Sequence, residues 1–180
     1  MVYVFVYTLL LKRRSWNNIV IGGAAGAFPP LIGAAAVTGS IDVVGVYMFA
    51  LIFFWTPPHF WTLSMLLKDD YAAAGVPMLA AVAGHRDTAG QVLLYVVLLI
   101  ALVWLPFVAG YGGITFALAG TLLGAWWLRL AYGLWSGDPD RGRARAAYMY
   151  SLAYLAGVFV VLAAEPHLPW YEAFSFRPTR

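Results

Sequence analysis

Asp69 and Asp70 stand side by side in the stretch KDDY, with Lys68 before them and Tyr71 after. Two carboxylates suit a Mg²⁺ ion held jointly with substrate phosphates, because Mg²⁺ keeps several waters and needs few protein oxygens. The plainer reading is a solvated helix end. Ten residues upstream, His59 lies in FFWTPPHFW, residues 53–61, inside a long apolar run. Helical rise puts it about 13 Å from the charged end of that run. An ionisable group at that depth is a functional candidate. It could be a neutral ring bonded to a carbonyl released by the prolines, a ligand contact, an axial ligand to a haem iron, or a proton carrier. Lys12, Arg13 and Arg14 form a third group, able to bind phosphate oxygens. A charged site at the mouth of an apolar cavity suits a substrate with a diphosphate head and a hydrocarbon tail.

The elements that carry these residues must be membrane helices. Of 180 residues, 63% are hydrophobic and 11% charged, more apolar surface than a soluble domain of this length can bury. The absence of cysteine excludes a disulfide framework, a thiolate metal site and a cysteine nucleophile. The net charge of +3 does not point to nucleic acid, since basic residues in a membrane protein report orientation. MVYVFVYTLLLKRR places its apolar run ahead of its charges, the reverse of a secretory signal. That run would extend about 16 Å as a helix, against about 30 Å of hydrocarbon. It is expected to be the end of a helix cut at Met1, or else a re-entrant or interfacial segment.

Five full spans follow, near 18–37, 41–67, 91–109, 113–135 and 147–164. Nine of the eleven Lys and Arg residues fall on one side of the implied path, and only Arg177 and Arg180 on the other. The positive-inside rule assigns the basic side to the cytoplasm. The expected domain is residues 1–164, with an extracytoplasmic tail at 165–180. Pro29-Pro30 and Pro57-Pro58 each lie about 15–17 Å from the basic side. Broken helices are tolerated in lipid where they line a cavity or pack on protein, so both spans are expected to break at matching depth around a cavity.

The wording of two stretches, YTLLLKRRSWNNIVIGGAAGAFPPLIG and FFWTPPHFWTLSMLLKDDYAAAGVPML, resembles the haem O synthase branch of the membrane-bound UbiA-type prenyltransferases. The resemblance implies an all-α, multi-pass transmembrane helical bundle, here five full spans plus a truncated N-terminal one. It implies transfer of the farnesyl group of farnesyl diphosphate to a vinyl group of haem b, with Mg²⁺ as cofactor, in the inner membrane with the active site on the cytoplasmic side. Haem A synthase is an implied partner. Asp69 and Asp70 match the family's second acidic motif, beside Lys68 and Tyr71. Lys12 and Arg13 match its basic loop, Asn18 the start of the next helix, and His59 a histidine with a haem-side role. The family's first acidic motif has no counterpart, so the resemblance covers the C-terminal two-thirds. Position 73 is Ala, which removes the four-residue spacing of acids found in the quinone and chlorophyll branches. Two other classes stand beside this one: a haem-binding fragment without transferase activity, and a half-transporter that would dimerise without using Asp69 or Asp70.

Overall fold

The computed structural model describes residues 18–168. The short apolar run before Lys12, Lys12 and Arg13 themselves, and the tail beyond residue 168 lie outside the described residues. Eight α-helices run in the order α1 (Asn18–Thr38), α2 (Val43–Leu66), α3 (Lys68–Ala73), α4 (Leu79–Val82), α5 (Gly84–Leu102), α6 (Leu105–Val108), α7 (Ile114–Ser136) and α8 (Arg141–Ala164). A 3-10 turn at Glu165–His167 follows. Five segments are long and apolar enough to cross a membrane: Ile19–Thr38, Val43–Leu66, His85–Val108, Ile114–Ser136 and Arg141–His167. The protein is an all-α, multi-pass membrane bundle.

Four of these spans close a ring. α2 packs on α5 and α8, and α7 packs on the same two, so each helix lies antiparallel to its neighbours, as in an up-down-up-down bundle. The centre is filled by Leu51, Val92, Val96, Leu99, Phe116, Trp127, Tyr154 and Val158, all fully buried. α5 and α7 approach most closely where α7 has Gly120 and Gly124: a Cβ at the first would lie 2.9 Å from Val103, and at the second it would collide with Ile100. Small residues four apart are what allow such an approach in a lipid environment. α1 stands outside the ring and packs on α2. There the contact is again made by glycine, since a Cβ on Gly23 would lie 2.9 Å from Thr56.

Two expectations need correction. The third and fifth spans begin about six residues before the boundaries drawn from hydropathy alone, because charged turns extend each helix past the lipid. Asp140 caps α8, its Oδ1 accepting from Gly142 N at 2.8 Å, which starts a helix on residues that read as loop. More important, neither proline pair breaks its helix. α1 and α2 are continuous through Pro29-Pro30 and Pro57-Pro58. Proline removes an N–H and crowds the preceding turn, here leaving Phe53 O and Phe54 O without their helical donors, and close packing keeps the helix continuous around the second pair. Pro57 and Pro58 are buried, and hydroxyls bond to nearby carbonyls: Thr56 to Ile52 O, Thr62 to Pro58 O and His59 O, and Ser64 to Trp61 O.

The ends of the bundle differ in charge. Every described Lys and Arg lies on or near the end formed by the C-terminus of α2, α3, and the starts of α5 and α8. At the opposite end, Glu165 is 2% exposed and accepts from Gly113 N at 2.8 Å and Phe116 N at 2.6 Å. It therefore joins the end of α8 to the start of α7, where unpaired N–H groups and the helix dipole favour a carboxylate. The bundle thus extends through residue 167, three residues into the expected tail. Glu165→Gln is expected to cost about 2–3 kcal/mol, because an amide NH₂ would face a backbone donor. Reversible unfolding in mixed micelles measures this, and an unchanged midpoint would show that the clasp contributes nothing.

Candidate functional site

α2 links the two candidate groups. Its lower half carries His59, and the chain turns at Leu67, the one non-helical residue (φ −110°, ψ 27°), straight into α3. Lys68, Asp69 and Asp70 form the exposed first turn of α3, and Tyr71 is half-buried behind them. Neither aspartate makes a hydrogen bond or ion pair with a described residue. Carboxylates in the first turn of a helix are favoured by its dipole, and the oxygens of both remain open to a cation. No group of three or more His, Cys, Asp or Glu side chains converges among the described residues. The pair therefore fits a hydrated Mg²⁺ that takes its remaining ligands from phosphate, and does not fit a cage made wholly of protein.

His59 is 6% exposed and held by α8. Its ring stacks on Trp55, with centroids 4.3 Å apart and planes at 20°, and on Tyr148, at 4.9 Å and 26°. Nδ1 lies 2.7 Å from Ser151 Oγ. The Ser151 hydroxyl is also 2.5 Å from Tyr148 O; when its proton is given to that carbonyl, Oγ accepts from His59 Nδ1–H. The neutral ring then carries its lone pair on Nε2, the tautomer that ligates a metal or accepts a proton. Trp55 Nε1 donates to Ser151 O at 2.8 Å and completes the clamp. Of the readings open to His59, the bond to a carbonyl released by the prolines is not the one Nδ1 makes; a serine on another helix takes that place.

Beside this clamp lies the expected cavity, built differently from the expectation. About 310 Å³ opens between α1 and α2, lined by Gly22, Gly23 and Gly26 on one side and Trp55, Thr56 and Phe60 on the other. Small residues on α1, not broken helices, make the space. A row of rings continues from it, with Phe28 and Phe49 5.2 Å apart and Phe49 stacked on Phe53 at 6.1 Å.

The structure thus brings Lys68, Asp69, Asp70 and Tyr71 together on α3, with His59 farther up α2, about 12 Å from the turn at Leu67 by helical rise. Asn18 is the first residue of α1; its side chain lies outside the described part, as do Lys12 and Arg13. Sequence reasoning does not find three residues of the clamp: Trp55, Tyr148 and Ser151. The signal available for the last two is spacing, since 148 and 151 share a face of α8.

The family model described as UbiA prenyltransferase matches residues 1–171. The chain belongs to the UbiA prenyltransferase family. A protoheme IX farnesyltransferase of Thermus thermophilus is 50% identical over 163 residues, which is 91% of this chain and 27% of that protein. The enzyme of the same name from Bartonella quintana is 45% identical over 172 residues, 94% of this chain and 55% of its own length. That of Deinococcus radiodurans is 46% identical over 168 residues, 91% and 54%. The chain spans about half the length of most of these curated relatives, or a quarter of the Thermus protein. No solved structure matches it. UbiA members are membrane helical bundles that act on diphosphate substrates, in keeping with the five spans and the open acidic turn.

Proposed function

We propose that this protein transfers the farnesyl group of farnesyl diphosphate to a vinyl group of haem b, giving haem O, in line with the farnesyltransferase names of its relatives. The observation that carries the reading is the pairing, on one continuous run of chain, of an Asp69-Asp70 turn whose carboxylates have no partner among the described residues with a buried imidazole held through Nδ1. The first suits a metal-bound diphosphate, and the second suits a haem iron.

In this reading Asp69 and Asp70 hold Mg²⁺, which neutralises charge on the departing diphosphate. Lys68, Lys12 and Arg13 add positive charge around the diphosphate, and Tyr71 and Asn18 complete its surroundings. The allylic C–O bond breaks with both electrons leaving on oxygen, the vinyl π electrons form the new C–C bond, and the cation left on the vinyl carbon next to the ring takes up a water oxygen and releases a proton, which leaves a hydroxyl beside the new bond. Trp55, Phe60 and the phenylalanine row wall the tail and the cation against water and stabilise positive charge through their π faces. His59 holds the macrocycle from the iron side. The basic end faces the cytoplasm by the positive-inside rule, which puts the acidic turn on that face of the cell's inner membrane. Haem A synthase, as the consumer of haem O, is the expected partner. The domain is residues 1–164 continued by the Glu165 clasp, with the rest of the chain as an extracytoplasmic tail.

The test is direct. Purified protein in nanodiscs, given haem b, farnesyl diphosphate and Mg²⁺, is expected to yield a farnesylated haem identified by mass spectrometry, and none when Mg²⁺ is chelated. Haem binding with no product would favour the haem-binding role without transfer.

A further inference from the structure

α8 carries one more feature that orientation alone does not explain. Arg141, Arg145, Tyr148 and Ser151 follow one another at intervals of four, three and three residues, so they form a single stripe along the helix. The stripe ends at the serine that holds His59 and includes the tyrosine stacked on its ring. Below that tyrosine is a cavity of about 470 Å³, lined by Leu66, Arg141, Gly142, Arg145, Tyr148 and Met149. Its lining is almost wholly apolar, with the stems of the two exposed arginines at its rim and no acidic residue among the described lining.

The two arginines differ from their neighbour on the helix. Arg143, off the stripe, is engaged by Asp140 at 3.7 Å and by Gly133 O at 3.2 Å. Arg141 is steadied by one long bond, its Nη2 donating to Leu66 O at 3.3 Å, which joins α8 to the last turn of α2 just before the acidic turn. Arg145 makes no hydrogen bond or ion pair with a described residue. Most of their ten N–H donors, five per guanidinium, therefore have no partner among the described residues and stand at the rim of one apolar cavity, and planar, bidentate donors of this kind match a carboxylate.

We propose that Arg141 and Arg145 bind the propionate carboxylates of the haem, so that α8 holds the macrocycle at two points, through His59 and Ser151 at its iron and through the arginines at its acidic edge. This rests on the function proposed above. From Ser151 to Arg145 is about 9 Å along the helix axis, and Tyr148 lies between as a flat surface. An oxyanion of either substrate could in principle meet these donors. The propionates are favoured because Tyr148, which lines this cavity, is also stacked on the imidazole of the clamp, whereas in the proposed function a diphosphate is held at Asp69 and Asp70. A pair so disposed also fixes which edge of an almost symmetric ring faces the membrane interior, and so which side chains of the ring reach the farnesyl tail.

The experiment combines a protein variant with a ligand variant. Haem b and its dimethyl ester, in which both carboxylates are blocked, are titrated by absorbance into the unaltered protein and into R141Q/R145Q in nanodiscs. The unaltered protein is expected to bind haem b about tenfold or more tighter than the ester. In R141Q/R145Q that preference disappears while ester binding is unchanged. The ester arm uses unaltered protein, so it stands even if the variant folds poorly. Equal binding of acid and ester by the unaltered protein overturns the proposal. So does a variant that loses affinity for inorganic diphosphate and keeps its preference for haem b, because the arginines would then serve the other substrate. If the unaltered protein binds neither haem, this proposal and the function beneath it fail together; if it binds both alike, only this one fails.

Discussion

Asp70→Asn is expected to reduce farnesyl transfer by about 10²–10³-fold, the usual cost of removing one group that stabilises charge in a transition state. The substitution keeps the size and shape of the side chain and removes its charge. Because Asp70 is exposed in the first turn of α3 and bonded to no described residue, the fold has little to lose: surface changes of this sort stay within about 0.5 kcal/mol. A loss of rate can then be assigned to the metal–diphosphate site. Two readouts separate this from a general defect. Haem titration should be unchanged, since His59 is a dozen or so ångströms away and belongs to another contact. The Mg²⁺ concentration for half-maximal rate should rise, because a neutral amide is a weaker ligand for a hard cation. Unaltered turnover at ordinary Mg²⁺ would remove the acidic turn from the mechanism.

The second large effect is expected at His59. Its replacement by Ala should weaken haem binding by about a hundredfold, roughly 2.7 kcal/mol, and leave diphosphate binding as it was. Two contributions must be kept apart. One is structural: Trp55 and Tyr148 lose the ring between them, and Ser151 Oγ loses a donor, costs of about 1–3 kcal/mol to stability. The other is loss of Nε2 as a ligand. Free imidazole added to the variant distinguishes them, because it can enter the vacated space and ligate iron without restoring the covalent link. Recovery of the haem absorbance band with imidazole assigns His59 to the iron. If haem titrates normally into the variant without it, His59 is a packing residue and the haem is held elsewhere. Ser151→Ala gives an intermediate case, in which the imidazole remains but its tautomer is no longer imposed.

Much of this architecture can be read from residue types. Apolar runs of about twenty residues leave few alternatives to spanning helices, and the separation of basic residues orients them. The acidic pair stands out in the sequence, but its plainer reading is a solvated helix end, and only the resemblance gives it a role. The proline pairs mislead for a physical reason. Their effect on a helix depends on what packs around it, and Pro57 and Pro58 are buried against other elements that the local sequence does not name. The clamp around His59 is hidden because Ser151 is 92 positions away, and nothing local to FFWTPPHFW indicates which helix will face it. Hydropathy also discounts charged helical turns, so it draws the starts of α5 and α8 too late, and with them the two arginines pass for loop.

The long sequence separation of the clamp bears on how the protein is made. α1 with α2, α5 with α7 and α7 with α8 are hairpin-like pairs of helices near in sequence, whose contacts can form as each emerges into the bilayer. The contact of α2 with α8 is different: its bonds from Trp55 and His59 to Ser151 span 96 and 92 residues and must wait for the last helix. Until then the imidazole has neither its serine nor its tyrosine, and its proton is free to sit on either nitrogen. The haem-side site is thus among the last parts of the bundle to exist during synthesis. In the proposed function, a nascent chain would expose its acidic turn before it could present an ordered imidazole to haem.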